Sequence, residues 1–300
     1  MKKFIFLLIV TTILAFGVNS CQKDKDGIYN PKDKISKVHA EGKWYEDGEL
    51  YLNISKQVYQ TWNWKKNKLE SIVMQNGTLT YTYQGKQVSK ISAGVASMNF
   101  HYDGADLTEI ELQNISYSMW IKVLERDADR HITKLRYEVP TIEIKSFEEY
   151  KTNFSEIKDL INLGFSNQMA DILDKNLERQ YKTHQTKGTS NVDFTFIYTG
   201  DNVTKITVNQ DGTTENYHYT YDNKTNPYYQ FHSRYTEQAG IRPSPLGFSK
   251  NNILSYYAAS NPNFIYKNTY TYDGERIATW SYREYLEDGY VDWTQYYTYE

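Results

Sequence analysis

One short motif recurs along this chain and restricts its fold more than any other feature. The triplets Trp62-Asn63-Trp64, Tyr81-Thr82-Tyr83, Phe100-His101-Tyr102, Phe196-Ile197-Tyr198 and Tyr270-Thr271-Tyr272 are each followed, two positions on, by Lys66, Gly85, Gly104, Gly200 or Gly274. Leu69, Val88, Leu107, Val203 and Ile277 come three residues later, and Ile72, Ile91, Ile110, Ile206 and Trp280 three beyond those. Alternate aromatics share one face of a strand, and Asp103-Gly104 or Asp273-Gly274 supply the positive φ of a tight hairpin turn. The aliphatic and the isoleucine are an odd number of residues apart. They therefore lie on opposite faces of the strand, or a bulge intervenes. Further turn pairs at Asn76-Gly77, Asp211-Gly212 and Asp288-Gly289 bound strands that fit the template less well. The chain holds 29 tyrosines, 6 tryptophans and 12 phenylalanines, a composition that fits pleated sheet first. The spacing predicts a mainly β fold: a long antiparallel meander of a dozen or so strands, curved or partly closed like a barrel.

Two stretches break the repeat. Phe147, Tyr150, Phe154, Ile157 and Ile161 follow helical spacing behind a capping box at Ser146 and Glu149, and Gly164 ends the run. Met169, Ile172, Leu173, Leu177 and Tyr181 form a second stripe, so a two-helix insertion is expected over residues 146–185. Residues 222–251 form a long loop in which Pro227, Pro243 and Pro245 prevent regular structure. Its rings, Tyr228, Tyr229 and Phe231 among them, favour a packed loop over a disordered one.

The N-terminus carries an address. Met1-Lys2-Lys3 precedes an apolar run from Phe4 to Val18. As a helix that run spans roughly 22 Å, short of a bilayer core of about 30 Å, so residues 1–20 are expected to be a signal peptide. Val18-Asn19-Ser20-Cys21 resembles the lipobox of bacterial lipoproteins, which implies acylation of Cys21 and cleavage before it. Stable anchoring takes more than one acyl chain, which a multiply acylated cysteine provides. Cys21 is the chain's single cysteine, so the mature protein has no disulfide framework. The polar run after it reads as a tether over residues 21–34, leaving residues 35–300 as one domain. Cys21-Gln22-Lys23-Asp24-Lys25-Asp26 also resembles the Lys/Asp-rich export signal of Bacteroidetes surface lipoproteins. That resemblance implies a lipid-anchored outer-membrane protein at the cell surface, with a periplasm-facing anchor as the other placement.

Tyr102-Asp103-Gly104 and Tyr272-Asp273-Gly274 look like the YD repeats of RHS-type proteins, and imply hairpin geometry without a toxin-packaging shell. Tyr221-Asp222-Asn223-Lys224, Asn226-Pro227-Tyr228 and Ser249-Lys250-Asn251-Asn252 resemble a family of Bacteroidetes surface lipoproteins that pairs YD-like strands with an Asn-Pro loop. Its β domain is porin-like in description, and it has no assigned activity or catalytic residues, so none transfer.

No catalytic constellation is present in the sequence. His39, His101, His131, His184, His218 and His232 form no close metal-ligand group, and no Walker loop, nucleophile elbow or dinucleotide fingerprint occurs. Asp103, Asp273, Glu109 and Glu111 are the carboxylates a glycosidase reading would need, but the two Asp hold turn positions. A net charge of −3 with mixed signs offers no basic stripe for nucleic acid. The expectation is a non-enzyme without cofactor or metal, bound to the membrane through the lipid on Cys21 and structural or interacting in role. A second reading makes it a glycan-binding lipoprotein that stacks sugars on exposed rings, the candidates being Tyr228, Tyr229, Phe231, Trp62 and Trp64. Under the first reading those rings are buried; under the second they form an exposed row.

Overall fold

The structure, a computed structural model, describes residues 26–75, 77–113, 118–138, 191–210, 212–232, 245–286 and 289–300. Strands β1 (Ile35–Glu46), β2 (Glu49–Lys65), β3 (Lys68–Met74), β4 (Gly77–Gln84), β5 (Gln87–Ala93) and β6 (Ala96–Asp103) open the fold. They are followed by β7 (Asp106–Gln113), β8 (Ser118–Arg126), β9 (Ile132–Glu138), β10 (Val192–Thr199) and β11 (Asn202–Gln210). After β12 (Thr213–Thr225) comes the short helix α1 (Pro245–Phe248), then β13 (Asn251–Ala258), β14 (Tyr266–Asp273), β15 (Arg276–Leu286) and β16 (Gly289–Tyr299).

Each strand pairs antiparallel with its neighbour in sequence, and β16 pairs with β1 from Ile35↔Tyr299 to Glu46↔Gly289. The meander is therefore a fully closed barrel of 16 strands, more than the dozen or so expected and with no open edge. The two-helix insertion expected over 146–185 lies outside the described residues. Among those residues α1 is the one helix.

The odd spacing in the template is resolved by a bulge. Registers shift at Asn63/Trp64, Thr82/Tyr83, His101/Tyr102, Ile197/Tyr198 and Thr271/Tyr272, one step after each turn. One residue of the returning strand is thereby left without a partner: Glu70, Ser89, Thr108, Thr204 or Ala278. The extra residue resets the alternation, so Leu69 and Ile72, Val88 and Ile91, and Leu107 and Ile110 all point inward, at 0–2% exposure. Three of the bulges carry their own latch. Ser89, Thr108 and Thr204 donate from the hydroxyl to the carbonyls of Thr82, His101 and Ile197 on the facing strand.

The second aromatic of the template has a matching task. Tyr83, Tyr102 and Tyr198 donate their hydroxyls to the carbonyls of Leu69, Val88 and Ile132 on the preceding strand, at 2.9, 2.7 and 3.1 Å. Tyr299 does the same to Ile277, and the Trp64 indole to Ile35. An aromatic with a polar tip thus ties each hairpin to its neighbour, which explains why Tyr and Trp rather than Phe fill this position.

Turn chemistry sets one clear expectation. Gly85, Gly104, Gly200 and Gly274 have φ between 58° and 63°, and Lys66 takes the equivalent place at 54°. A side chain in the left-handed region costs about 1–2 kcal/mol, part of which glycine gives back through its freer unfolded state. Lys66→Gly is expected to stabilise the protein by about 0.5–1 kcal/mol. A raised urea midpoint at unchanged m-value checks this; a lowered midpoint contradicts it.

Inside and outside are sharply different. Thr78, Thr80 and Thr82, Lys90, His101, Lys267, Thr269, Thr271 and Arg283 project outward and are exposed. Inward positions on β3 to β11 are mostly aliphatic, with Phe and a few Tyr such as Tyr81 and Tyr137, and Ile72, Leu79, Ile91, Met98, Ile110 and Ile121 are 0–1% exposed. A lipid-facing barrel wall needs an apolar outer band; among the described residues the outward positions named above are charged or hydroxyl-bearing, with single apolar side chains such as Val73, Ile197 and Leu254 between them.

Candidate functional site

The described parts of the loop proposed for binding, residues 222–232 and 245–251, pack into one mouth of the barrel. Asn226, 2% exposed, pins both of its ends. Its amide donates to the carbonyls of Leu246 and Ser249 at 2.6 and 2.9 Å, and its Oδ1 accepts from the Tyr228 N–H at 2.9 Å. The Ser249 hydroxyl accepts from the Val203 N–H, and Asn252 donates to Asp222. The polar residues of the Asn-Pro signature thus hold the loop together.

The five candidate rings lie in or beside this plug. Phe231 and Trp62 are 4% and 3% exposed, with centroids 5.1 Å apart, so neither offers a free face for stacking. Trp64 and Tyr228 are half-buried against the same cluster, and the Tyr228 hydroxyl donates to that of Tyr297 at 2.9 Å. Tyr229 is also half-buried, and its N–H donates to the Asn226 carbonyl. These rings pack; they do not form an exposed row.

A different part of the interior has the makings of a site. On β12 to β16 the inward positions change from aliphatic to aromatic and polar, and many are half-exposed although they face the inside. Tyr272, Tyr270, Trp280 and Tyr282 follow one another along this wall, with centroids 6.3, 6.1 and 4.9 Å apart. Beyond Tyr282 the alternation of β15 brings in a carboxylate, Glu284, opposite Val291.

Glu284 is held by a single partner. Its Oε2 accepts from the Trp293 indole at 3.0 Å, and no cation reaches it among the described residues. The Trp293 ring lies flat against Gly42, where any side chain would strike it at 2.8 Å, so that glycine makes room for the indole. Burial pushes the Glu284 carboxyl above its ordinary range, and the indole only partly offsets this. Tyr59, turned inward at the register shift between Val38 and His39, feels the same carboxylate. Burial first, then that charge, raises its phenol well above the usual value. Trp44, in the row of Val291 and Leu52, carries a buried indole N–H with no acceptor among the described residues.

The amides along this wall are already engaged. Asn268 accepts from Trp280 and donates to the Ile253 carbonyl. Gln60 accepts from Trp62, and Gln295 from Tyr297. Among the described residues that leaves π faces, the Trp44 indole N–H, the phenol of Tyr59 and one carboxylate as the wall's free chemistry. Glu284, Tyr59, Tyr282 and Trp293 were not singled out by sequence reasoning. The signal was present in the alternation Trp280, Tyr282, Glu284, where an acid stands at an inward position of an aromatic strand.

No protein-family model matches the sequence, and no curated protein matches it. Among solved structures the chain is similar to a porin-like protein from Bacteroides uniformis ATCC 8492, at 11% identity and a TM-score of 0.46, covering 89% of this chain and 98% of that one. A porin-like protein from Bacteroides vulgatus ATCC 8482 follows at 9% identity and 0.34, covering 90% and 99%. A third likeness, to TcdB2-TccC3-TEV, has 12% identity and a TM-score of 0.30, and spans 84% of this chain but 13% of that one. At these values the likenesses assign neither a family nor an activity.

Proposed function

We propose that this protein is a lipid-anchored, outer-membrane interaction protein whose barrel stands in water and takes a small organic cation against its aromatic inner wall. The observation that carries the reading is the polarity of the wall: charged and hydroxyl-bearing outside, aromatic inside around a carboxylate that meets no counter-charge among the described residues. A carboxylate among Tyr and Trp faces complements an ammonium group, which gains from both the charge and the ring quadrupoles. A neutral sugar would need several free hydrogen-bonding groups, and the nearby amides are engaged. The lipobox ending at Cys21 supplies the anchor that a water-facing barrel lacks.

Two measurements test this. Tryptophan fluorescence should respond saturably to phenyltrimethylammonium and remain flat with neutral monosaccharides; the opposite result replaces the cation with a glycan. Metabolic labelling with a fatty-acid analogue should mark the wild type and miss Cys21→Ser. Equal labelling of both would remove the anchor. Protease treatment of intact cells should degrade the protein, and full protection would place it on the periplasmic side.

A further inference from the structure

The segment read as part of a free tether is partly built into the barrel. Residues 26–34 cross the plugged mouth as a strap. The Asp26 N–H donates to the Ala105 carbonyl, and the Gly27 carbonyl accepts from the Val88 N–H at 2.8 Å. The Asp26 carboxylate accepts from the Leu107 N–H at 2.9 Å and pairs with Arg126 at 2.5 Å. Both side chains are largely buried, at 12% and 18% exposure, so the pair is firmer than a surface ion pair. Further along, Tyr29 is 3% exposed among Trp62, Trp64, Phe231 and His232. Asp33 then pairs with Arg276 at 2.8 Å, and the Lys34 carbonyl accepts from the Glu300 N–H.

The strap fixes how far the barrel can stand from its anchor. Cys21 is five residues before Asp26, and five extended residues span at most about 18 Å. β1 alone runs 12 residues, roughly 36 Å along the strand and less along a tilted barrel axis. The strapped mouth therefore stays near the bilayer, and a tether this short reaches no other end.

Charge decides which surface of that mouth meets the lipid. Lys34, Lys65, Lys66, Lys68 and Lys86 gather around the turns of β2–β3 and β4–β5. Lys34 donates to the Lys66 carbonyl and Lys68 to that of Gly85 at 2.6 Å. Within this group Glu70 is the paired acid, 3.3 Å from Lys65. Elsewhere on the mouth the cations are matched, Arg130 with Asp106, Lys250 with Asp201 and Lys224 with Glu275. Asp103, Asp129 and Asp273 lie in the other turns of the same mouth.

We infer that the protein stands end-on, with its strapped mouth and this lysine patch docked on the anionic phosphate groups of the lipid that holds the Cys21 acyl chains. The opposite mouth, to which Glu284 lies nearer, then points away from the membrane. This rests on acylation of Cys21 for its anchor and on the patch for its orientation. Each lysine held near an anionic surface contributes about 1 kcal/mol, so the patch outweighs the free rotation of a short tether.

The test uses the acylated full-length protein. Cys21 is the chain's single cysteine and its sulfur is occupied by lipid, so an introduced cysteine is labelled alone. Fluorophores on Lys86→Cys and on Glu49→Cys, at opposite mouths, are compared in vesicles of phosphatidylcholine with phosphatidylglycerol and a headgroup quencher. The Lys86→Cys label should be quenched several-fold more strongly, and adding Lys65→Gln and Lys68→Gln should shrink the difference. Equal quenching, or stronger quenching of Glu49→Cys, overturns the inference. Failure to associate with pure phosphatidylcholine vesicles sinks the lipid anchor alone. Sedimentation with phosphatidylglycerol vesicles, sensitive to salt, would still uphold the patch in that case, and its absence would overturn it.

Discussion

Replacing Trp62 by alanine is expected to destabilise the protein by about 3–5 kcal/mol, in the range for deleting a buried aromatic. Trp62 is 3% exposed and stands where strap, plug and barrel wall meet. Its ring lies 6.4 Å from Tyr29, 5.1 Å from Phe231 and 6.3 Å from Tyr228, centroid to centroid. Removing it opens a cavity against three separate chain segments, which the rigid wall cannot collapse to fill. The substitution also takes the indole donor from Gln60 Oε1, a bond of 2.8 Å inside the core. Trp62→Phe keeps most of the ring and loses that donor, so about 1–3 kcal/mol is expected. Urea unfolding of both variants, with the outward-facing Thr80→Ala as a control near zero, measures the series. A cost within about 0.5 kcal/mol for Trp62→Ala would mean that the ring sits at a surface, as a stacking platform requires.

Much of the barrel is local in sequence, and that part was legible. Alternating aromatics, positive-φ turns and the fixed step to the next aliphatic define one hairpin each, and hairpins joined in order make a meander. Even the bulge was signalled, because an odd spacing between Leu107 and Ile110 forces either a flip or an extra residue. Closure was not legible in the same way. It depends on β1 meeting β16 across more than 240 residues, from Ile35↔Tyr299 to Glu46↔Gly289, and no local pattern encodes such pairing. The strap was hidden for a related reason: Asp26 looks like one more charge in a polar run until Arg126, 100 residues away, comes to meet it.

The site shows the limits of reading residue type without register. Tyr228, Phe231 and Trp62 stood out because rings in a long loop or on an early strand look available. Their partners, Tyr297, Tyr29 and one another, come from distant parts of the chain, and together they bury the faces that stacking would need. Glu284 escaped notice because an acid in a strand is ordinarily outward. Its inward place follows from Tyr282↔Trp293 and Glu284↔Val291, a register that only the paired strand fixes.

Substitution of that acid, Glu284→Gln, is expected to change both stability and binding, with signs that can be worked out. Burial raises the folded carboxyl above its value in the unfolded chain. Between those two values the folded state binds more protons than the unfolded state, so stability falls as pH rises through the interval. Below the ordinary Glu value of about 4.3 both states are protonated and the penalty is absent. Glutamine keeps an acceptor for the Trp293 indole and removes the ionisation. The variant should match the wild type near pH 4 and exceed it at pH 7 and above, as read from thermal midpoints across pH. An organic ammonium reverses the order, because it supplies the missing counter-charge to the wild type alone. Phenyltrimethylammonium should raise the wild-type midpoint at pH 7 and leave Glu284→Gln unmoved. Loss of one member of a buried charge pair costs about 2–5 kcal/mol, so affinity should fall by about thirtyfold or more. A wild type that gains stability with rising pH, or a variant that tracks it at every pH, would mean the carboxylate is already solvated or paired. The interior would then lack the uncompensated charge on which recognition of a cation depends.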